Sequence, residues 1–174
     1  MHVLQHIAVQ ADSNDEAFRT VKDSLESELG AYESPTNSWF DWFVAGGGRW
    51  NPNPDSQYAD DLTTTVSYDE APDKYRATIE ESINSRMEEF NGYRKSFEEK
   101  NVDINAKLDN YKGVMNYDFE LYPLKKMIDM IQGTWDFNSY FYDMTSASTN
   151  PDHMYKSIDL GNKNWYLVPV DFHF

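Results

Sequence analysis

Apolar residues recur along the chain with two periods, and the change from one to the other marks the elements. From Val3 to Ala11 they alternate, with Ile7 and Val9 on one side and His6, Ala8 and Gln10 on the other. A period of two is the signature of a strand with one buried face. The period then lengthens. Ala17, Phe18, Val21, Leu25 and Leu29 share one side of a helix, behind Ser13 as N-cap and Glu16 three residues on. That capping box satisfies amide donors that a helix start leaves open. Gly30 is expected just past the helix end, where a left-handed residue closes the last turn.

Regular periodicity disappears between Tyr32 and Tyr68, a stretch rich in Pro, Gly, Asn and Asp. Embedded in it is Trp39-Phe-Asp-Trp-Phe-Val-Ala-Gly-Gly-Gly-Arg-Trp50, which carries three Trp and two Phe in twelve residues. So apolar a segment is expected to fold back onto the domain. Residues 62–68 are expected to form a short strand.

Pro72 and Asp73 open a long helix. Ile83, Phe90, Phe97, Ile104 and Tyr111 recur every seven residues. Met87 and Leu108 take the complementary column, which Arg94 and Asn101 interrupt. The seam is continuous on one column and broken on the other. Gly92 costs about 1 kcal/mol relative to Ala inside a helix, so a kink there or a break at Asn101 is expected. Unbroken, residues 73–112 would span roughly 60 Å at 1.5 Å per residue. A hairpin of two helices, or one helix projecting from the body, fits the chain length better.

Tyr122-Pro123 starts another helix, carrying Leu124, Met127, Ile128 and Ile131 and stopped by Gly133. Residues 135–144 read as an aromatic-rich strand. Residues 165–174 form a last apolar run, paired most simply against residues 3–11. Pro169 cannot donate to a ladder, so one side of that strand should be an edge or a bulge there. The pattern predicts a single α+β domain over residues 1–174. Residues 1–70 and 114–174 would supply a small, mostly antiparallel sheet that includes both termini. Residues 73–112 would supply the long amphipathic helix.

Charge narrows the function. The formal net charge is −15. Residues 1–72 hold 13 acidic and 3 basic side chains, a net of −10, whereas residues 73–112 hold 9 and 8, a net of −1. Direct nucleic-acid binding needs clustered Lys and Arg and is not expected; anionic membranes are disfavoured likewise. A carboxylate-rich face can instead imitate a phosphate backbone, although solubility alone accounts for it. The chain has no Cys, so disulfides, thiolate metal sites and Cys nucleophiles are excluded. No run reaches the ~18 apolar residues of a membrane span, and Met1 to Gln10 lacks a signal-peptide pattern. The expected location is cytoplasmic, the host cytoplasm if the protein is viral.

Few residues suggest chemistry. Gly46-Gly47-Gly48-Arg49-Trp50 lets a backbone approach a ligand closely, and Arg49 beside Trp42 and Trp50 could hold an anion or stack. The plainer reading gives the glycines tight-turn geometry and pairs Arg49 with Asp41. No Walker or dinucleotide loop is present. Asp171 and His173 share a strand face, and His6 joins them if the terminal strands pair, offering acid–base chemistry or three metal ligands. A wet, merely polar sheet face is the alternative. His2 and His153 have no context. Glu80-Glu81, Glu88-Glu89 and Glu98-Glu99 read as a solvated helix face, and Tyr140-Phe141-Tyr142 as core. No cofactor is indicated.

Trp39, Asp41, Trp42, Gly47, Gly48, Arg49 and Trp50, together with Val170, Asp171 and His173, resemble the signature of a family of uncharacterised, mostly phage-encoded proteins. The likeness covers the first 50 residues and about the last ten; Gly46 and the helical middle depart from it. It implies a phage origin and a shared sheet core, and no activity. It also implies that Arg49, Asp171 and His173 are neighbours.

Two functions compete. In the first, a small acidic accessory protein is a non-enzymatic binding module, with inhibition of a host or defence factor as one form of it. It would act through its acidic face or through Ile83, Met87, Phe90, Phe97, Ile104 and Leu108, with a homodimer through that seam as a variant. The charge balance and the oversized helix favour it. In the second, the chain binds or hydrolyses a nucleotide-like small ligand, with Arg49 on an anionic group, Trp42 or Trp50 for stacking, and Asp171 and His173 for acid–base or metal work. That reading requires a pocket bringing Arg49 close to His173.

Overall fold

The computed structural model describes residues 2–31, 40–104, 106, 119–132, 141–147 and 164–173. Five strands and three helices lie among them. They are β1 (His2–Gln10), α1 (Asn14–Ala31), β2 (Trp42–Ala45), β3 (Val66–Ser67), α2 (Pro72–Glu99), α3 (Tyr122–Gln132), β4 (Phe141–Asp143) and β5 (Trp165–His173). The strand order is β2-β5-β1-β4, with β3 also on β5. Three pairings are antiparallel and β1–β4 is parallel, so the α+β expectation holds with a mixed sheet.

The terminal strands pair in one continuous register, from His2 opposite His173 to Gln10 opposite Trp165. Ile7 faces Val168, so the apolar sets of both strands coincide. Strand β5 is central, yet its outer flank is shared by two short strands. The β2 pairing ends at Val170 and the β3 pairing resumes at Leu167. Pro169 lies in that gap, where its missing N–H leaves no ladder bond unmade. Its carbonyl accepts from the Gly46 N–H at 2.7 Å.

Helices cover both faces. One face packs Ile7, Val9, Val168, Val170 and Phe172 against Ala17, Phe18, Val21 and Leu25 of α1. The other packs Ala8, Val66, Phe141, Trp165 and Leu167 against Tyr75 and Ile79 of α2. Alternation along β1 predicts an outward Ala8, but Ala8 is fully buried, because α2 covers the face that alternation left wet. Ser13 Oγ accepts from Glu16 N–H at 3.2 Å, and Glu16 Oε2 reaches back to Asp12 N–H rather than to Ser13. Helix α1 runs through Gly30 to Ala31, so Gly30 is not the residue that stops it.

Helix α2 is one piece from Pro72 to Glu99 and passes through Gly92, where an added Cβ would meet nothing within 4 Å. It ends at Lys100, before Asn101 turns left-handed at φ 48°, the break that the interrupted column anticipates. Helix α3 packs antiparallel along its second half. Arg86 donates to the Met130 carbonyl, Tyr93 meets Tyr122 edge to face, and Lys100 donates to the Phe119 carbonyl. Residues 62–68 form a single 3-10 turn and only two residues of strand, because Asp61 caps the turn by accepting from Thr63 N–H. Of the aromatic strand expected at 135–144, residues 141–143 form β4, while 135–140 lie outside the described residues. No helix among the described residues is long and apolar enough to cross a membrane.

Candidate functional site

Opposed residues of an antiparallel pair share a face. The register therefore places His2, Leu4 and His6 of β1 beside His173, Asp171 and Pro169 of β5 on the face that α2 covers. Trp42 of β2 stands opposite His173 on its other flank.

Asp171 is fully buried. Its Oδ1 lies 2.9 Å from His2 Nδ1, and its Oδ2 accepts the Arg49 backbone N–H at 3.1 Å. The glycine run makes the second bond possible. Gly46, Gly47 and Gly48 all have positive φ, and a Cβ on Gly48 would come within 2.5 Å of Asp171. Only glycine lets the main chain press against a buried carboxylate in this way. Asp60 and Asp61 hold the run from the other side. Asp60 accepts from Ala45 N–H and pairs with Lys22 of α1 at 2.6 Å. Asp61 accepts from the Thr63 side chain, from Asn51 and from Thr63 N–H, and these donors hold its carboxyl down at about 2.

His2, Trp42 and His173 form an aromatic cluster. Trp42 stacks on His173 at 5.0 Å and an interplanar angle of 10°, and His2 meets both rings edge-on at 5.2 and 4.8 Å. His173 Nδ1 is 3.2 Å from Asp41 Oδ2, without the alignment of a hydrogen bond.

Two adjoining open clefts lie between the sheet and α2, the smaller of them against His2 of this cluster. The smaller, about 320 Å³, is lined by His2, His6, Trp50, Glu81, Ser82 and Ser85, among others. The larger, about 410 Å³, lies against Gly46, Gly47, Asn51, Asp61, Lys74 and Thr78. Leu4, His6 and Trp50 line both. Trp50 is 47% exposed and forms the ridge that the chambers share.

Several expected roles move. Arg49 does approach Asp171 and His173, but through its main chain; its side chain is exposed and lines neither cleft. Asp41 engages His173, not Arg49. The terminal strands pair, yet His6 falls opposite Pro169, and His2 takes the place expected of it. No group of three His, Asp or Glu side chains is arranged to hold a metal among the described residues. Trp42 stacks within the cluster, and Trp50 is the aromatic that reaches the clefts. Gly47 lines the larger cleft, while Gly48 is a packing position.

Along the helix seam, Ile83 packs against the sheet, Phe90 and Phe97 are half-buried, and Met87 and Ile104 are exposed. Leu108, Tyr111, Trp39, Tyr140 and His153 lie outside the described residues. The sequence reading missed His2. The signal for it was the register that aligns Ile7 with Val168, which also sets His2 against His173. No family model, no curated protein and no solved structure matches this chain.

Proposed function

We propose that this chain binds a small ligand in the cleft between the sheet and α2, and that His2 is the acid–base group acting there. The observation that carries the reading is the contact of His2 Nδ1 with the fully buried Asp171. A carboxylate in that position selects the neutral tautomer with its proton on Nδ1, which leaves the Nε2 lone pair for chemistry. His2 lines the smaller cleft together with Trp50, and in this reading its Nε2 serves a ligand held there. As a base, His2 takes a proton from a bound water or hydroxyl, and Asp171 stabilises the imidazolium that results. Asp171 and the Arg49 main chain are positioning groups here, and His173 with Trp42 packs the imidazole in place. The protein then acts as a hydrolase or, without turnover, as a sequestering protein. Native mass spectrometry of the freshly purified chain tests this. A retained small-molecule mass, lost in Trp50→Ala, is the expected result. A clean apo mass, with no saturable binding from a fragment library, removes the reading.

The binding-module reading keeps one observation in its favour. Met87 on α2, Phe119 before α3 and Ile128 and Ile131 on α3 are exposed, at 53%, 75%, 45% and 74%. Large exposed apolar residues gathered on one arm suit a protein partner or a second copy of the chain. Sedimentation of the wild type and of Ile131→Asp, alone and with host lysate, tests it; identical monomer profiles throughout would remove it. A phage origin and a cytoplasmic setting belong to this second proposal.

A further inference from the structure

We propose that the double cleft takes a hydroxylated amine in its protonated form, an ammonium ion carrying neutral hydroxyl groups. The inference rests on the ligand-cleft reading above and names the ligand's chemistry.

The larger chamber has already engaged its hydroxyl donors and the Asn51 amide. Thr63 Oγ1 donates to Asp61 Oδ1 at 2.6 Å, Thr64 Oγ1 to the Asp61 carbonyl at 3.0 Å, and Thr78 Oγ1 to the Lys74 carbonyl at 3.0 Å. Both N–H groups of the Asn51 amide are engaged, one by the Gly46 carbonyl and one by Asp61 Oδ2. A hydroxyl that donates inward still has lone pairs to offer, and an ionised carboxylate only accepts. Around Asn51, Asp61, Thr63, Thr64 and Thr78 the walls therefore present acceptors to whatever enters. The complementary ligand is rich in O–H or N–H donors, and an acceptor-rich one, such as a phosphate ester, meets the Asp61 carboxylate and these lone pairs with Lys74 as the one cationic donor.

Charge places the ammonium. Among the residues lining the smaller chamber are Glu81 and Trp50 and no Lys or Arg. No hydrogen bond or ion pair from another described residue engages Glu81. A cation between a carboxylate and the exposed face of an indole gains both an ion pair and a cation–π contact. The whole-chain charge of −15 adds a long-range attraction for cations. Lys74 lines the larger chamber and opposes a second positive group there. One ammonium in the smaller chamber, with hydroxyls across the Trp50 ridge in the larger, satisfies both. Arg49 lines neither chamber, and Lys74 is the one Lys or Arg side chain that lines either.

The test uses the full chain labelled with 5-fluorotryptophan, read by 19F NMR, with the Trp50 signal assigned from Trp50→Phe. The probes are glucosamine, N-acetylglucosamine and glucosamine 6-phosphate. They share their ring hydroxyls, and differ in the ammonium group and the phosphate. The expected result is a saturable Trp50 shift with glucosamine. Both other probes should bind at least about tenfold more weakly. Glu81→Gln should weaken glucosamine about tenfold and bring it level with its N-acetyl form, whereas Glu98→Gln, on the exposed far end of α2, should leave it unchanged. Equal binding of glucosamine and N-acetylglucosamine, or tighter binding of the phosphate, overturns the ammonium assignment and leaves the ligand cleft standing. Silence from all three probes also overturns it, and the fragment screen above then decides separately whether the cleft binds anything.

Discussion

At the scale of single residues, the account turns on Asp171 and the glycine that lets the main chain reach it. Gly48 sits at φ +47°, with no room for a Cβ beside Asp171. Gly48→Ala should cost at least about 2 kcal/mol, combining backbone strain with a displaced buried carboxylate. Thermal unfolding would show it. Asp171→Ala should cost about 3 kcal/mol, because it removes a buried side chain and leaves the Arg49 amide and an imidazole donor without their acceptor. It should also release the tautomer of His2, so that Nδ1 no longer holds the proton, at temperatures where the fold persists. Asp61 gives a pH signature. Its pKa is lowered from 3.8 to about 2 in the folded chain, so the unfolded chain takes up the proton first. Its stabilisation is complete above the unfolded value and is lost as pH falls toward about 2. Asp61→Asn should flatten the acid limb of a stability–pH curve over that window. Asp171 and His173 were legible as neighbours from their spacing of two. His2 was not, since a lone histidine near a strand start acquires meaning only from a pairing register.

Among the elements, α2 shows why periodicity is a strong guide to existence and a weaker one to partners. The seven-residue column from Ile83 onward suggested a seam for another chain. In the fold, Tyr75 and Ile79, a turn or two earlier, are fully buried on the sheet, and α3 lies along the second half of the helix. The column marks the side of α2 that turns inward, and most of it is used within the chain. Ile79→Ala should cost about 2–5 kcal/mol by leaving a cavity, whereas Met87→Ala, at an exposed position, should change stability by less than about 0.5 kcal/mol. Gly92→Ala should stabilise by about 0.5–1 kcal/mol, since the helix is continuous there and a methyl meets open space. Denaturant titration of the three variants would rank them. Gly30 was misread as a stop because glycine ends helices often but does not have to. Of the two irregularities expected, a kink at Gly92 or a break at Asn101, the helix takes the second, where a polar residue on the seam is also one that tolerates positive φ.

For the whole molecule, the sheet could be anticipated from its two ends and its layering could not. Both terminal strands declared themselves by alternation, but only coverage by α2 explains why Ala8 and Leu167 are as buried as Ile7 and Val168. That same coverage creates the clefts, so no local motif could have announced them. The uneven charge was visible from the start. Its consequence depends on Glu81 and Asp61 lining the cavities, which one-dimensional counting does not show. The central claim, that buried Asp171 presents His2 as a base to the cleft, is most directly tested by long-range 1H–15N NMR of the imidazoles, with His2 assigned from His2→Gln. The account predicts that neutral His2 carries its proton on Nδ1, and that its bare Nε2 resonance moves when a cleft ligand is added. A neutral His2 protonated on Nε2, or an Nε2 resonance indifferent to a ligand that shifts Trp50, would contradict it.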